Sequence, residues 1–242
     1  MAFSSYYKTR KVSGIGRRLN EVFAAAVAAE VKRNSRDGDA VLEVGPGEGG
    51  IADRLVPSLR YCVYEASPVL ASGLREKGIE VREAFAPPFT EETATQNVVL
   101  ATHVLEHMAG HFEARLLFTE AARVLVPGGV LIIVSPDFND MGKLFFDVDY
   151  SHSFATTPNR LVQLAKDASL IVIKKRFLYG ALPVFPGIIC NLLVKLFFYI
   201  LRPFKENTMF EYKGIFKLEY MFARAVYVVF QKPINFTEAK QD

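Results

Sequence analysis

Val41-Leu-Glu-Val-Gly-Pro-Gly-Glu-Gly-Gly50 divides into an apolar, partly β-branched run and a glycine-rich turn. The run has the composition of a strand buried on both faces, and the glycines allow backbone to approach a ligand closely. Ile51-Ala-Asp-Arg-Leu55 follows with helix-compatible residues, so a helix is expected over residues 50–57. A strand, a glycine turn and a helix N-terminus together frame a nucleotide-sized pocket at the carboxyl end of the strand.

Two patterns overlap in the turn. Gly45, Gly47 and Gly50 satisfy G-x-G-x-x-G, the dinucleotide spacing, whereas Gly45, Gly47 and Gly49 satisfy G-x-G-x-G, which suggests S-adenosylmethionine. Glu65 ends the next apolar strand, Tyr61-Cys-Val-Tyr-Glu65, and there a carboxylate accepts from ribose hydroxyls under either pattern. Glu43, inside the strand just below the turn, tips the balance. It would repel a pyrophosphate and attract the sulfonium and ammonium groups of S-adenosylmethionine.

The rest of the chain supplies a matching frame. Its 242 residues, half of them apolar, fit a single α/β domain over 1–242 with a modest insertion. Leu19, Val22, Phe23, Ala26, Val27 and Glu30 recur at helical spacing within a segment 1–36 that opens on basic and aromatic residues, including Tyr6 and Tyr7. Over 39–136 there follow strand 61–65, a helix from Pro68 to Lys77 ended by Gly78, and a short strand at Ile79-Glu-Val81. A proline loop at 82–89, a buried strand at Gln96 to His103 and a helix from Val104 to Val126 come next. Pro127-Gly-Gly129 then precedes a buried strand over Val130 to Ser135. Strands alternating with helices imply a doubly wound, mostly parallel sheet.

Charge is uneven. Residues 1–170 carry a net −3 and residues 171–242 a net +6, for +3 overall. Basic residues in the last third are interleaved with Leu, Ile and Phe without a base-stacking or groove-reading pattern, which disfavours nucleic acid. Cys62 and Cys190 lie far apart, so neither a disulfide framework nor a zinc site is indicated, and no metal ligands are expected. The N-terminus lacks the apolar run of a signal peptide, and a cytoplasmic setting is expected.

Four motifs in order now carry a resemblance. Val-Leu-Glu-Val-Gly-Pro-Gly-Glu-Gly49, Val-Tyr-Glu-Ala-Ser-Pro68, Thr-His-Val-Leu-Glu-His107 and Arg-Val-Leu-Val-Pro-Gly-Gly129 resemble the first, second-strand, fourth-strand and pre-strand-five motifs of class I S-adenosylmethionine-dependent methyltransferases of the small-molecule type. The resemblance implies a seven-stranded Rossmann-like sheet and S-adenosylmethionine as cofactor. Gly45, Gly47 and Gly49 would admit its methionine moiety, and Glu43 would hold the ammonium group. Glu65, with Ala66 beside it, would accept from the ribose. Glu83, Ala84 and Phe85 would meet adenine, with Glu where the family usually has Asp. Thr102 and His103 would lie near the sulfonium. His107 is read as a local packing residue.

Residues 137–180 would form the acceptor side and strand six, Leu170 to Phe177. Asp147-Val-Asp-Tyr-Ser-His-Ser-Phe-Ala-Thr-Thr-Pro158 resembles a segment of ubiquinone-type and polysaccharide-type methyltransferases. Thr156 or Thr157 would cap a helix over Asn159 to Ala168, leaving His152 on a loop above the sheet. For a hydroxyl acceptor His152 is the first candidate base and His103 the second. The last strand is expected over 222–233.

Between strands six and seven, residues 181–221 form an apolar and basic insertion. Pro183 to Phe204 holds Ile188, Ile189, Leu192, Leu193, Leu196, Phe197, Ile200 and Leu201, with Asn191, Lys195, Tyr199 and Arg202 on a narrow stripe. It would pack as a lid, pair with another subunit, or lie in a membrane interface with Lys195, Arg202 and Lys205 at the phosphates. A small-molecule, glycan or lipid-linked acceptor fits each. Two functional alternatives stand beside methyl transfer, at oxygen by preference: a nucleotide- or nicotinamide-dependent oxidoreductase or epimerase, and a catalytically silent subunit of the same fold.

Overall fold

The computed structural model describes residues 14–180, 182, 184–207 and 220–234; the Tyr6 and Tyr7 segment lies outside them. Seven strands form one sheet in the order β3-β2-β1-β4-β5-β7-β6. They are β1 (Ala40–Val44), β2 (Arg60–Tyr64), β3 (Glu80–Arg82), β4 (Gln96–Thr102), β5 (Leu125–Pro136), β6 (Ile171–Tyr179) and β7 (Arg224–Gln231). The first five pair in parallel, while β7 runs antiparallel to both β5 and β6. This is the doubly wound seven-stranded sheet expected, with its antiparallel last strand inserted between β5 and β6.

The helices are α1 (Gly14–Arg33), α2 (Pro68–Glu76), α3 (His111–Val124), α4 (Phe138–Met141), α5 (Leu144–Asp147), α6 (Pro158–Asp167) and α7 (Val184–Asn207). Because β1 and β4 are sandwiched, alternate side chains enter opposite cores. Leu42, Val44, Val99 and Ala101 pack with α3 and α6 through Leu117, Phe118 and Leu161. Val41, Val98 and Leu100 pack on the other face with Val27 and Val31 of α1 and Leu74 of α2.

Three local expectations need correction. No regular helix follows the glycine turn: residues 49–59 wind through a 3-10 turn at Ala52–Arg54 and irregular turns, because Pro57 has no N–H to continue a ladder. The helix expected from Val104 is interrupted. A 3-10 turn at Leu105–His107 gives way to extended Met108, and α3 begins only after Gly110. Pro127-Gly-Gly129 is no turn before a strand; it lies inside β5 at a register shift against β4. Gly129 suits that position, since a Cβ would sit tightly, 3.0 Å from the Asn97 carbonyl oxygen. Thr157 caps α6, its hydroxyl accepting from Arg160 N–H, whereas Thr156 is buried against Pro136.

The insertion helix α7 docks along one stripe. Gly187 brings its backbone so close to Tyr179 that a Cβ would meet the tyrosine Cβ at 2.5 Å. One turn on, Asn191 donates to Phe222 O at 2.8 Å and to Asp140 Oδ2 at 3.2 Å. Lys195 reaches Asp140 Oδ1 at 2.5 Å, and Phe198 is buried. Lys195 is therefore turned toward the protein and away from the phosphate position expected for it. Tyr199 does not share the docked stripe and faces outward. The side chains of Arg202 and Lys205 lie outside the described residues.

Candidate active site

A cleft of about 350 Å³ opens at the carboxyl ends of β1, β2 and β4. That volume falls in the range of small-molecule sites. Its floor is the glycine turn. Gly45, at φ +64°, donates its N–H to Tyr64 O at 2.9 Å, and a Cβ there would strike Val104 Cγ2 at 2.8 Å. Gly45 and Gly47 line the cleft. Gly49 does not; its α-carbon faces Leu74, which a Cβ would meet at 2.6 Å, so it serves the packing of α2. A second hollow of about 310 Å³, lined by Arg123, Ser169 and Lys232, lies at the opposite ends of the strands.

Glu65 and Ala66 form one wall and Ala84 and Phe85 another. Glu65 is held by Ser67 N–H, which donates to Oε1 at 2.8 Å, and burial pushes its carboxyl above the usual range. Among the described residues the proline loop thus contributes an exposed aromatic ring, Phe85, beside a buried carboxylate. Glu83 turns out of the cleft and pairs with Arg75 at 2.8 Å on the surface.

Glu43 also departs from its expected place. Strand alternation sends its side chain to the α1 face, where Tyr61 Oη donates to Oε2 at 2.7 Å. It does not line the cleft and can act on a bound cation only through space. Burial, with the Glu65 charge adding to it, raises its carboxyl to about 7.

The fourth-strand motif supplies the opposite wall. Thr102 ends β4 without lining the cleft, and His103 follows it into the cleft at φ +55°. That left-handed conformation is costly for a non-glycine residue, and it aims the ring inward. His103 Nδ1 lies 3.2 Å from Glu106 Oε1, and Ser135 Oγ donates to Glu106 Oε2 at 2.9 Å. Glu106 is almost wholly buried; desolvation would raise its carboxyl, but the bond from His103 and the neighbouring imidazoles outweigh it and hold it low.

His107 lines the cleft as well, contrary to its reading as a packing residue. Burial lowers its pKa, which favours neutral imidazole. Its Nδ1 lies 2.8 Å from Ser151 Oγ, whose hydroxyl donates to Asp149 Oδ1 at 2.6 Å. His152, expected on an open loop, is instead buried behind His107, with the rings edge to face at 4.9 Å. Ser153 N–H and Phe154 N–H bond the Glu106 carbonyl and pull the acceptor segment onto the 3-10 turn. No local signal in the sequence marks His107, since its partner Ser151 lies 44 residues away.

The site can therefore hold a ligand with a ribose-like diol at Glu65, a ring at Phe85 and a reacting centre facing two imidazoles. Comparison with known proteins agrees with the fold. A sequence profile of the methyltransferase-domain family matches residues 16–176. No curated protein matches the sequence. Among solved structures, a geranyl diphosphate methyltransferase in complex with S-adenosylmethionine is 14% identical, with TM-score 0.66 and coverage of 89% of this chain and 86% of that one. Geranyl diphosphate C-methyltransferase from Streptomyces coelicolor, solved with S-adenosylhomocysteine, is 12% identical, with TM-score 0.62 and 86% and 77% coverage. A phosphoethanolamine N-methyltransferase from Haemonchus contortus is 16% identical, with TM-score 0.59 and 89% and 57% coverage. At these identities the likeness is one of fold.

Proposed function

The chain belongs to the methyltransferase-domain family, and from that premise we propose that it transfers the methyl group of S-adenosylmethionine to a hydroxyl of a lipophilic or lipid-linked acceptor at a membrane surface. The observation that carries the reaction is the meeting, in one cleft, of the Gly45–Gly47 turn, the Glu65 carboxylate and two imidazoles. Gly45 and Gly47 admit the methionine moiety, Glu65 accepts from the ribose diol, and Ala84 and Phe85 cover adenine. Both His103 and His107 then face the sulfonium side.

The sulfonium makes the methyl group electrophilic on its own, so the protein's task is alignment of donor and nucleophile with exclusion of water. A hydroxyl nucleophile also needs a proton acceptor. His107 is the better placed base, being neutral by burial and oriented through Ser151 and Asp149. His152, behind it, is a positioning residue.

The acceptor class is inferred from α7. Its polar stripe points inward to Asp140 and Phe222 O, while Leu192, Leu193, Leu196 and Ile200 are each more than half exposed. An 18-residue window, Val184–Leu201, has mean hydropathy 2.1 and is only 17% buried. Such a helix is inside out for water and suited to an apolar medium. Because it docks from Gly187 to Phe198, it would lie in the plane of the interface. The basic excess of residues 171–242 favours an anionic bilayer.

The purified chain, incubated with methyl-labelled S-adenosylmethionine and a total lipid extract, should place label in the organic phase. Label confined to water-soluble products would overturn the lipid-linked acceptor. Absence of any transfer would favour the silent-subunit reading.

A further inference from the structure

Behind the cleft wall, Glu106, His107 and His152 each bring a ligand atom within 4.8 Å of those of the other two. We propose that these three residues bind a divalent transition-metal ion, with its open coordination positions toward the cleft. The inference does not depend on the identity of the methyl acceptor.

Tautomer control carries it. His152 Nδ1 lies 2.6 Å from the Phe145 carbonyl oxygen, which can only accept, so Nδ1 holds the proton and Nε2 the lone pair. Ser151 gives its hydroxyl proton to Asp149 at 2.6 Å, so Ser151 Oγ accepts from His107 Nδ1 and the second lone pair also sits on Nε2. Outer hydrogen bonds to a carbonyl and to a serine–carboxylate chain are the arrangement that orients metal-binding imidazoles. An edge-to-face pair of imidazoles has no need of matched tautomers for packing alone.

Glu106 completes the set. Its two oxygens take one bond each from His103 and Ser135, and a carboxylate with about four lone-pair positions has capacity left. Two imidazoles and one carboxylate suit zinc, iron(II) or cobalt(II) and leave room for an outside ligand. Tetrahedral zinc with bonds of about 2.0–2.1 Å separates its ligand atoms by roughly 3.3 Å, so a modest closure of the three side chains suffices. His107 lines the cleft and places the open positions there; with the ion bound, its Nε2 is a ligand and no longer the base, and the ion takes over that task by polarising a bound acceptor oxygen.

The test uses tag-free, chelator-stripped full-length chain titrated with cobalt(II), followed by its visible absorption, and with zinc by competition against a chromophoric chelator. One equivalent per chain is expected. His152→Ala should abolish stoichiometric binding, and Ser151→Ala, which removes the outer hydrogen bonds to His107 and Asp149 and no ligand atom, should weaken it by about 10–100-fold. S-adenosylhomocysteine affinity and far-ultraviolet circular dichroism, measured on the same samples, report folding and the cofactor site separately. No uptake by a protein that binds S-adenosylhomocysteine would overturn the metal site alone. Uptake indifferent to both substitutions would overturn it equally. Uptake without S-adenosylhomocysteine binding would leave the metal site standing and remove the methyl-transfer reading.

Discussion

Tyr61 Oη donates to Glu43 Oε2 across 2.7 Å where water does not reach, so the strand carboxyl two residues before the glycine turn is held on the far side of its own strand. Burial raises that carboxyl from its ordinary 4.5 to about 7. Between those values the folded chain keeps a proton that the unfolded chain has released, so stability falls as pH rises through the window, by at most roughly 3 kcal/mol. Melting temperatures from pH 4.5 to 8 should show this decline in the native protein and a flatter profile in Glu43→Gln. Parallel profiles would contradict it.

A second buried carboxyl is paired with a cation. Asp137 is wholly buried and pairs with Arg224 Nη2 at 2.7 Å, joining the end of β5 to the start of β7. Arg224→Ala would strand that carboxylate and should cost roughly 3–5 kcal/mol in urea unfolding. A change below about 1 kcal/mol would place the pair among surface bridges of little consequence.

For catalysis by the metal-free chain, His107→Ala should lower turnover by roughly 10²–10⁴ while cofactor affinity is kept, the magnitude of a lost general base. Steady-state rates with saturating S-adenosylmethionine, beside a direct binding measurement, separate the two. Loss of affinity at unchanged turnover would move His107 out of the proton-transfer role.

The helix α7 makes a physical prediction of its own. The chain should co-sediment with vesicles containing anionic lipid, less so at high salt because surface charge attraction is screened. Leu192→Ser together with Leu196→Ser, both on the outward face, should release it. A detergent-sensitive dimer that ignores vesicles would assign the same face to a second copy of the chain, and a monomer that ignores them would leave the helix a lid.

Much of this was legible in the residues themselves. The β1, β4 and β5 strands declare themselves as apolar runs, because strands covered on both faces need no alternation. Gly45 and Gly47 are readable because positive φ at a ligand turn is a glycine requirement. What the sequence hides is tertiary. Glu43 and Glu65 look alike as carboxylates near a glycine turn, yet the two-residue period of a strand turns Glu43 from the cleft. His107 looks like a helix-start residue until Ser151, 44 positions on, returns to orient it. Lys195, on a stripe with Asn191, reads as a cation for lipid phosphates, because nothing local reveals that Asp140 waits on the domain. The helix expected after the glycine turn failed on Pro57, a signal that was present in the chain and was outweighed by helix-compatible neighbours.

The central claim, that the cleft above Gly45 and Gly47 is an S-adenosylmethionine site with Glu65 on the ribose, is tested most directly by calorimetric titration of S-adenosylhomocysteine and NAD. The native chain should bind one S-adenosylhomocysteine and no NAD, and Glu65→Ala should weaken the former by about 1.5–3 kcal/mol, the range for a lost hydrogen bond to a charged group. Binding of NAD without S-adenosylhomocysteine, or an affinity untouched by Glu65→Ala, would contradict it.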